Sequence, residues 1–271
     1  MLEKTQYRQS WQTLNGELQR IEVEAGNLGG AFDALYEHQL ATGFVRDDLS
    51  NIERYAITHP DDTASEFWVQ FNPRRADRFG GRGRKEPPPG LTAYNDGCFL
   101  CPANIWWQQG GIEIGYETVL NDRDYIAWMN PYPLAPAHAV VASRAHCSQG
   151  WAVDDIASGS LRIDELIGDL VALVRRLPGY LAFYNGIGAG ASIPNHLHFH
   201  AFRRAQPAAR FPIERLTDGC DQPQSVFTDG YPVHFAYWQG GEDEVVSRAV
   251  SWASDWIRQG ATDGTELTAN I

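Results

Sequence analysis

Apolar residues recur at helical spacing through the first part of the chain, at Leu14, Leu18 and Ile21 and again at Phe32, Leu35, Tyr36 and Leu40. Residues 1 to about 57 therefore read as a helical lead-in. A strand is expected at "FWVQFNP" (67–73), after which "RRADRFGGRGRKEPPPG" (74–90) is too rich in Gly, Pro and Arg for regular structure. The short runs "ETVL" (117–120), "YIAWM" (125–129) and "HAVVA" (138–142) are parted by turn residues such as Asn130, Pro131 and Pro133, and predict an antiparallel meander. Over 160–177, Ile163, Leu166, Ile167, Leu170, Leu173, Val174 and Leu177 make one apolar stripe that Pro178 and Gly179 end, so this helix should lie on the sheet.

The next strand is "YLAFYN" (180–185), followed by the Gly-rich turn "GIGAGAS" (186–192) and a strand through "HLHFHAF". A weak strand at "YPVHFAYW" (231–238) and a helix over 242–259 complete the elements, and the last residues read as a frayed tail. The sequence holds no internal repeat and no low-complexity segment. This order predicts an α+β fold, an antiparallel sheet with helices packed on one face. The main domain would occupy 61–260, with a helical N-terminal segment at 1–60 and a flexible tail at 261–271.

Alternation then gives the chemistry. Three of the eight histidines, His196, His198 and His200, fall on alternate positions of one expected strand. They share a face, spaced about 7 Å apart, while Leu197, Phe199 and Ala201 share the other and can face a core. The plain reading is a half-exposed strand with polar residues outward on a solvent or cleft side. Ligation of one ion by all three is awkward, because ligand nitrogens must lie about 2 Å from it.

A chain of 271 residues with 43% hydrophobic content can build its own core. The net charge of −12 excludes a protein that coats nucleic acid or an anionic membrane, and leaves room for a small anionic ligand on a local basic patch. No apolar run approaches the roughly 20 residues of a membrane span, and "MLEKTQYRQSW" lacks the apolar stretch of a signal peptide. The expectation is a cytoplasmic protein.

Of four cysteines, Cys98 and Cys101 form a C-x-x-C pair, while Cys147 and Cys220 carry no pattern. Redox chemistry would need a helix beginning at the first cysteine, and Pro102 argues against it. A structural zinc site needs two further ligands, for which His146 and His196 are available. Iron could take the same donors. Such a closed site would brace the start of the histidine strand and leave His198 free.

"HLHFHAF" resembles the histidine triad pattern, and "PLAPAHAVVASRAH" resembles the segment of that superfamily that leads a strand toward the nucleotide. More narrowly, "DGCFLCPANI", "FNPRRADR" and Asn185, eleven residues before His196, resemble the branch of galactose-1-phosphate uridylyltransferase. "NHLHFHAF", "FPIE" and "GYPV" look more like the nucleotide-sugar phosphorylases such as GDP-L-galactose phosphorylase. The likeness runs in order over about 66–235 and implies a histidine-triad-like sheet. It also implies Zn2+ on Cys98, Cys101, His146 and His196, with His198 as nucleophile. Asn185 would orient the site backbone, Arg75 and Arg78 would hold phosphates, and Asn130 or the Asn121/Asp122 pair would meet a ribose. Two positions depart from the pattern. His200 stands where these transferases usually carry Gln, whereas the superfamily's hydrolases and some dinucleoside polyphosphate phosphorylases carry His. Ser192, the small hydroxyl residue expected to meet phosphate, lies one place early.

A neutral imidazole can attack an α-phosphorus to form a nucleotidyl-histidine. Arg75, Arg78 and the "GIGAGAS" backbone could stabilise the phosphate oxygens, and His200 could donate a hydrogen bond to the leaving or attacking oxygen. The bland alternatives are solvated charge for the arginines and a tight connection for the glycines. Trp106, Trp107 and Trp128 read as core or dimer-interface residues. The expected function is nucleotidyl transfer from a nucleotide sugar or dinucleoside polyphosphate to phosphate or a sugar phosphate. The alternatives are hydrolysis of the same substrates, or a zinc-stabilised nucleotide-binding module without turnover. The superfamily also implies a homodimer.

Overall fold

A computed structural model describes residues 3–58, 66–79, 86–153, 160–204, 211–217, 224–227, 233–264 and 267–271. Its centre is a five-stranded antiparallel sheet in the order β3-β4-β5-β9-β8, from β3 (Tyr116–Leu120), β4 (Arg123–Met129), β5 (Ala139–Ser143), β8 (Tyr180–Phe183) and β9 (His198–Arg203). The expected meander is therefore present. The β9 strand enters beside β5 rather than at the sheet's edge.

Register assigns every side chain to a face. Ile126, Ala142 and His198 lie opposite one another, as do Trp128, Val140, His200 and Phe183. Their neighbours Tyr125, Ala127, Met129, Ala139, Val141, Leu197, Phe199 and Ala201 fill the main core, as the alternation required. Fully burying one such large side chain contributes about 2–3 kcal/mol. This face is covered by α2 (Leu28–Ala41) and by α4 (Ile163–Arg175), whose Ile163, Leu166, Ile167, Leu170 and Leu173 are buried. Helix α6 (Glu242–Asp263) packs on α4 from outside.

The other face carries a second apolar cluster of Cys98, Leu100, Cys101, Ile105, Ile126, Trp128 and Ala142. It centres on α3 (Pro102–Gln108), a short helix that the sequence reading did not anticipate, with Pro102 in its first turn where a missing N–H costs nothing. Helix α1 (Lys4–Ala25) lies along edge strand β3, where the Asn15 amide donates to the Gly115 carbonyl at 2.9 Å and accepts from Glu117 N–H at 2.9 Å. One side chain thus occupies the hydrogen-bonding edge that an open sheet would expose.

Several expectations need correction. The helical lead-in ends at Ala41, and β1 (Glu53–Thr58) pairs instead with β2 (Glu66–Phe71) in a hairpin. All six β1 residues are exposed, so no core face selected a strand-like period. Residues 73–79 of the arginine segment wind into a 3-10 helix. A parallel pair of β6 (Ser148–Ala152) and β7 (Ser160–Arg162) precedes α4. Helix α5 (Pro212–Thr217) and β10 (Gln224–Phe227), which pairs with β11 (Phe235–Trp238), follow the main sheet. Most of "GYPV" and Cys220 fall outside the described residues.

The chain end is not a loose tail. Tyr184 and Ile271 exchange backbone hydrogen bonds of 2.7 and 3.0 Å, and Gly186 N–H donates to Ala269 O at 3.0 Å. The backbone hydrogen bonds that β9 does not supply to residues 184–186 come from this segment, which no local hydrophobic pattern announces. No helix among the described residues is long and apolar enough to cross a membrane.

Candidate active site and metal-binding cluster

His196 lies in the turn before β9, His198 opens the strand and His200 stands one pleat further on. The three rings are not in a row facing solvent. His196 and His198 are 0% and 1% exposed, because α3 and the Cys-containing segment cover that end of the sheet.

His196 and His198 are each oriented by a backbone carbonyl, and His200 by another histidine. His196 Nε2 lies 2.8 Å from the Ser143 carbonyl, which can only accept, so Nε2 carries the proton and Nδ1 presents its lone pair. That Nδ1 sits 3.2 Å from Cys98 Sγ and 3.6 Å from Cys101 Sγ, and His146 Nδ1 sits 3.3 Å from Cys101 Sγ. All four donor atoms lie within 4.8 Å of one another, and the group could hold a metal ion. The donor set fits zinc: with Zn–S of about 2.3 Å and Zn–N of about 2.0 Å, tetrahedral geometry places sulfur and nitrogen about 3.5 Å apart. The carbonyl on the far nitrogen of His196 is the usual outer support for such a ligand. Without an ion the two cysteines share a proton. The Cys101 thiol, with His196, pulls the Cys98 thiol down to about 3, and the Cys101 thiol is raised by facing that thiolate.

His198 Nδ1 lies 2.8 Å from the His196 carbonyl, which places the proton on Nδ1 and the lone pair on Nε2. Burial lowers its pKa below the usual histidine range and keeps it neutral. His200 Nδ1 meets Nε2 of His138 at 3.1 Å, and its ring stacks on Phe183 at 4.9 Å and 15°. Burial first, then the nearby His198 and Arg75, lower its pKa to about 3.

The remaining expected residues divide clearly. Arg75 comes to this end of the sheet, close enough to lower the pKa values of His138 and His200, and its Nη1 donates to the Tyr132 carbonyl at 2.6 Å. The backbone of Arg78 is in the 3-10 helix and its side chain is outside what the structure describes. Asn130 caps the loop that carries His138, accepting from Tyr132 N–H at 2.9 Å while its own N–H donates to the His138 carbonyl at 2.8 Å. Asn185 follows β8, and its carbonyl accepts from the Gln149 amide at 2.9 Å. Ser192 is exposed at the end of the Gly-rich turn, whose Gly186 N–H is already taken by Ala269 and Asn270.

Asn121 and Asp122 are not brought to the histidines. They are the two left-handed residues of the β3–β4 hairpin turn, at φ 43° and 66°, a conformation that favours Asn and Asp. The Asn121 amide donates to buried Asp169 on α4 at 3.0 Å, beside Arg123 and Tyr125 on the same carboxylate. The turn lies four residues before Ile126, roughly 14 Å along the strand from the level of His198.

Two residues missed in the sequence complete the site. His138 is 1% exposed and bonded to His200. Gln149, fully buried, accepts from His198 N–H at 2.7 Å and donates to the His198 carbonyl at 3.0 Å as well as to Asn185. Its amide replaces the strand residue that β8 would have supplied beside His198. The sequence around Gln149, "CSQGWAV", carries no pattern that singles it out. Gln149→Leu leaves buried donors and acceptors unmet at about 1–3 kcal/mol each. We expect it to destabilise the fold by about 3 kcal/mol in a urea titration, and a loss under about 1 kcal/mol would show that these bonds are readily replaced.

No curated protein matches the sequence. Among solved structures, the chain is similar to yeast Ap4A phosphorylase Apa2 in complex with AMP, at 16% identity and a TM-score of 0.52, over 89% of this chain and 74% of that one. It is likewise similar to the same yeast enzyme in complex with Ap4A, at 15% identity and a TM-score of 0.51, over 89% and 75% of the two chains. The shared feature is the fold, a mixed α+β arrangement about an antiparallel five-stranded sheet. A protein-family description covers residues 35–203, more than half of the chain and every strand of that sheet, and on this match the protein belongs to the family described as a domain of unknown function, DUF4922.

Proposed function

We propose that the protein is a nucleotidyltransferase of the phosphorylase kind, moving a nucleoside monophosphate from a dinucleoside polyphosphate or nucleotide sugar to phosphate or a sugar phosphate through His198. The single observation that carries this reading is the 2.8 Å contact of His198 Nδ1 with the His196 carbonyl. It leaves Nε2 as the lone-pair nitrogen of a ring that burial keeps neutral.

In the first step Nε2 attacks the α-phosphorus and the bond to the leaving oxygen breaks, its electrons leaving with that oxygen. The ring becomes a phosphorylated imidazolium, whose Nδ1–H gains strength as a donor to the His196 carbonyl. In the second step an acceptor oxygen attacks phosphorus, the P–N bond breaks and the imidazole returns neutral. Arg75 supplies positive charge beside the histidines for the phosphate oxygens. Zn2+ on Cys98, Cys101, His146 and His196 would be closed to substrate and would brace the turn that holds the His196 carbonyl. The fold shared with an enzyme whose structures hold AMP and Ap4A supports dinucleoside polyphosphates as the first donors to test.

One observation favours a second reading, hydrolysis of the same intermediate: position 200 is His rather than the Gln that the transferases carry. Acceptor dependence separates the two. With diadenosine tetraphosphate and nucleotide sugars as donors, transfer to phosphate predicts that added phosphate raises product formation at least about tenfold and yields a nucleoside diphosphate. Release of monophosphate at an unchanged rate without phosphate or sugar phosphate would decide for hydrolysis.

A further inference from the structure

We infer that His138 is a positioning residue that fixes His200 as a hydrogen-bond donor at Nε2, through a relay that begins at a backbone amide. This rests on the reading of His198 and His200 as the reacting site.

The direction of the relay follows from its first link. Leu134 N–H lies 3.1 Å from His138 Nδ1, and a backbone N–H can only donate. His138 Nδ1 must therefore carry a lone pair, which in the neutral ring puts the proton on Nε2. That Nε2 lies 3.1 Å from His200 Nδ1, so the proton points at His200 and His200 Nδ1 is the acceptor. The remaining nitrogen of His200, Nε2, then carries the proton. A cationic His138 would set an N–H against the Leu134 N–H, and the site is dry: His138 is 1% exposed, and its pKa is lowered by burial first and then by the neighbouring His200 and Arg75.

Packing holds the geometry. Phe183 stacks on His200 and the edge of Phe202 meets His138 at 6.0 Å. His198 and His200 lie on one face with ring centres 5.2 Å apart, yet their partners, a backbone carbonyl for His198 and the His138 ring for His200, drive them into opposite tautomers. His198 offers a lone pair at Nε2 and His200 a proton at Nε2. A lone pair and a donor proton thus stand side by side on neighbouring rings, the donor serving the oxygen that departs from phosphorus. A glutamine amide offers the same donor without a tautomer to be set. The histidine at 200 needs a second histidine behind it for the same service.

The test uses the full chain with 15N-labelled histidine and long-range 1H–15N spectra, which report the protonated nitrogen of each ring. In the wild type, His200 should carry its proton on Nε2 and His198 on Nδ1. His138→Gln can accept from Leu134 with Oε1 and donate to His200 with Nε2, so it should preserve the His200 tautomer and keep kcat within about threefold. His138→Phe should leave His200 in mixed tautomers and lower kcat by about 10- to 100-fold, with KM changed less than about threefold. A wild-type proton on Nδ1 of His200 would overturn the relay, and this measurement needs no variant to fold. So would a glutamine variant as impaired as the phenylalanine one. Absence of any nucleotidyl adduct in wild-type protein would overturn the site reading, and the spectra would still decide the relay.

Discussion

His198→Gln is expected to lower turnover by on the order of 10⁴-fold or more, and to abolish retention of α-phosphorus label on denatured protein. The size of the effect follows from what is lost. A glutamine amide has no lone pair able to bond phosphorus, and water is a poorer nucleophile than imidazole. Glutamine can still donate through its amide, so a variant that keeps the wild-type unfolding midpoint and lacks label isolates the covalent role. The adduct should be acid-labile, as a P–N bond is, and should disappear when phosphate is added to the labelled wild-type protein. Label that persists in His198→Gln would move the nucleophile elsewhere and take the proposed function with it. Normal nucleotide binding with no label in the wild type would reduce the protein to a binding module.

Removal of the metal is expected to have the second largest effect. Purified without chelator, the protein should contain one zinc per chain by mass spectrometry of the digested metal. Cys98→Ser should lose it and lower the thermal midpoint by on the order of 10 °C. The reason lies in the packing: two cysteines and two histidines have their donor atoms within 4.8 Å, in the apolar cluster of Ile105, Ile126 and Trp128. Without an ion these donors are left to weak S···N contacts in a dry setting. Adduct formation should slow as well, because the His196 carbonyl that orients His198 belongs to one of the four candidate donor residues. Iron in place of zinc would leave this argument intact. Protein that carries no metal and does not change with Cys98→Ser would end it.

The further design of the site is economical in the residues it uses. Backbone carbonyls at Ser143 and His196 and the backbone amide at Leu134 decide the proton positions of four imidazoles. Side-chain partners could rotate or titrate. Main-chain partners held in β5, in the turn before β9 and in the loop before His138 cannot, and they set the tautomers of His196 and His198 directly and that of His200 through His138.

By itself the sequence determined what depends on local period and spacing. The two-residue alternation of "HLHFHAF" put Leu197, Phe199 and Ala201 toward a core, and the heptad-like stripe over 163–177 placed α4 on that core. The C-x-x-C pair with His146 and His196 already named the four side chains whose donor atoms the fold brings within 4.8 Å of one another and that could hold a metal ion, because ligand chemistry admits few residue types. Tertiary structure alone decided the rest. The β1 strand carries no inward face and so no period, while the Asn121/Asp122 pair takes the left-handed conformation of the β3–β4 turn, away from the histidines. The chain end finds its hydrogen bonds at Tyr184–Gly186, more than 80 residues away in sequence. His138 and Gln149 acquire their roles only when β5 and β6 bring them beside β9. A hydrogen-bond partner so distant leaves no trace in spacing, because backbone groups are identical at every position and only the fold chooses which of them meet.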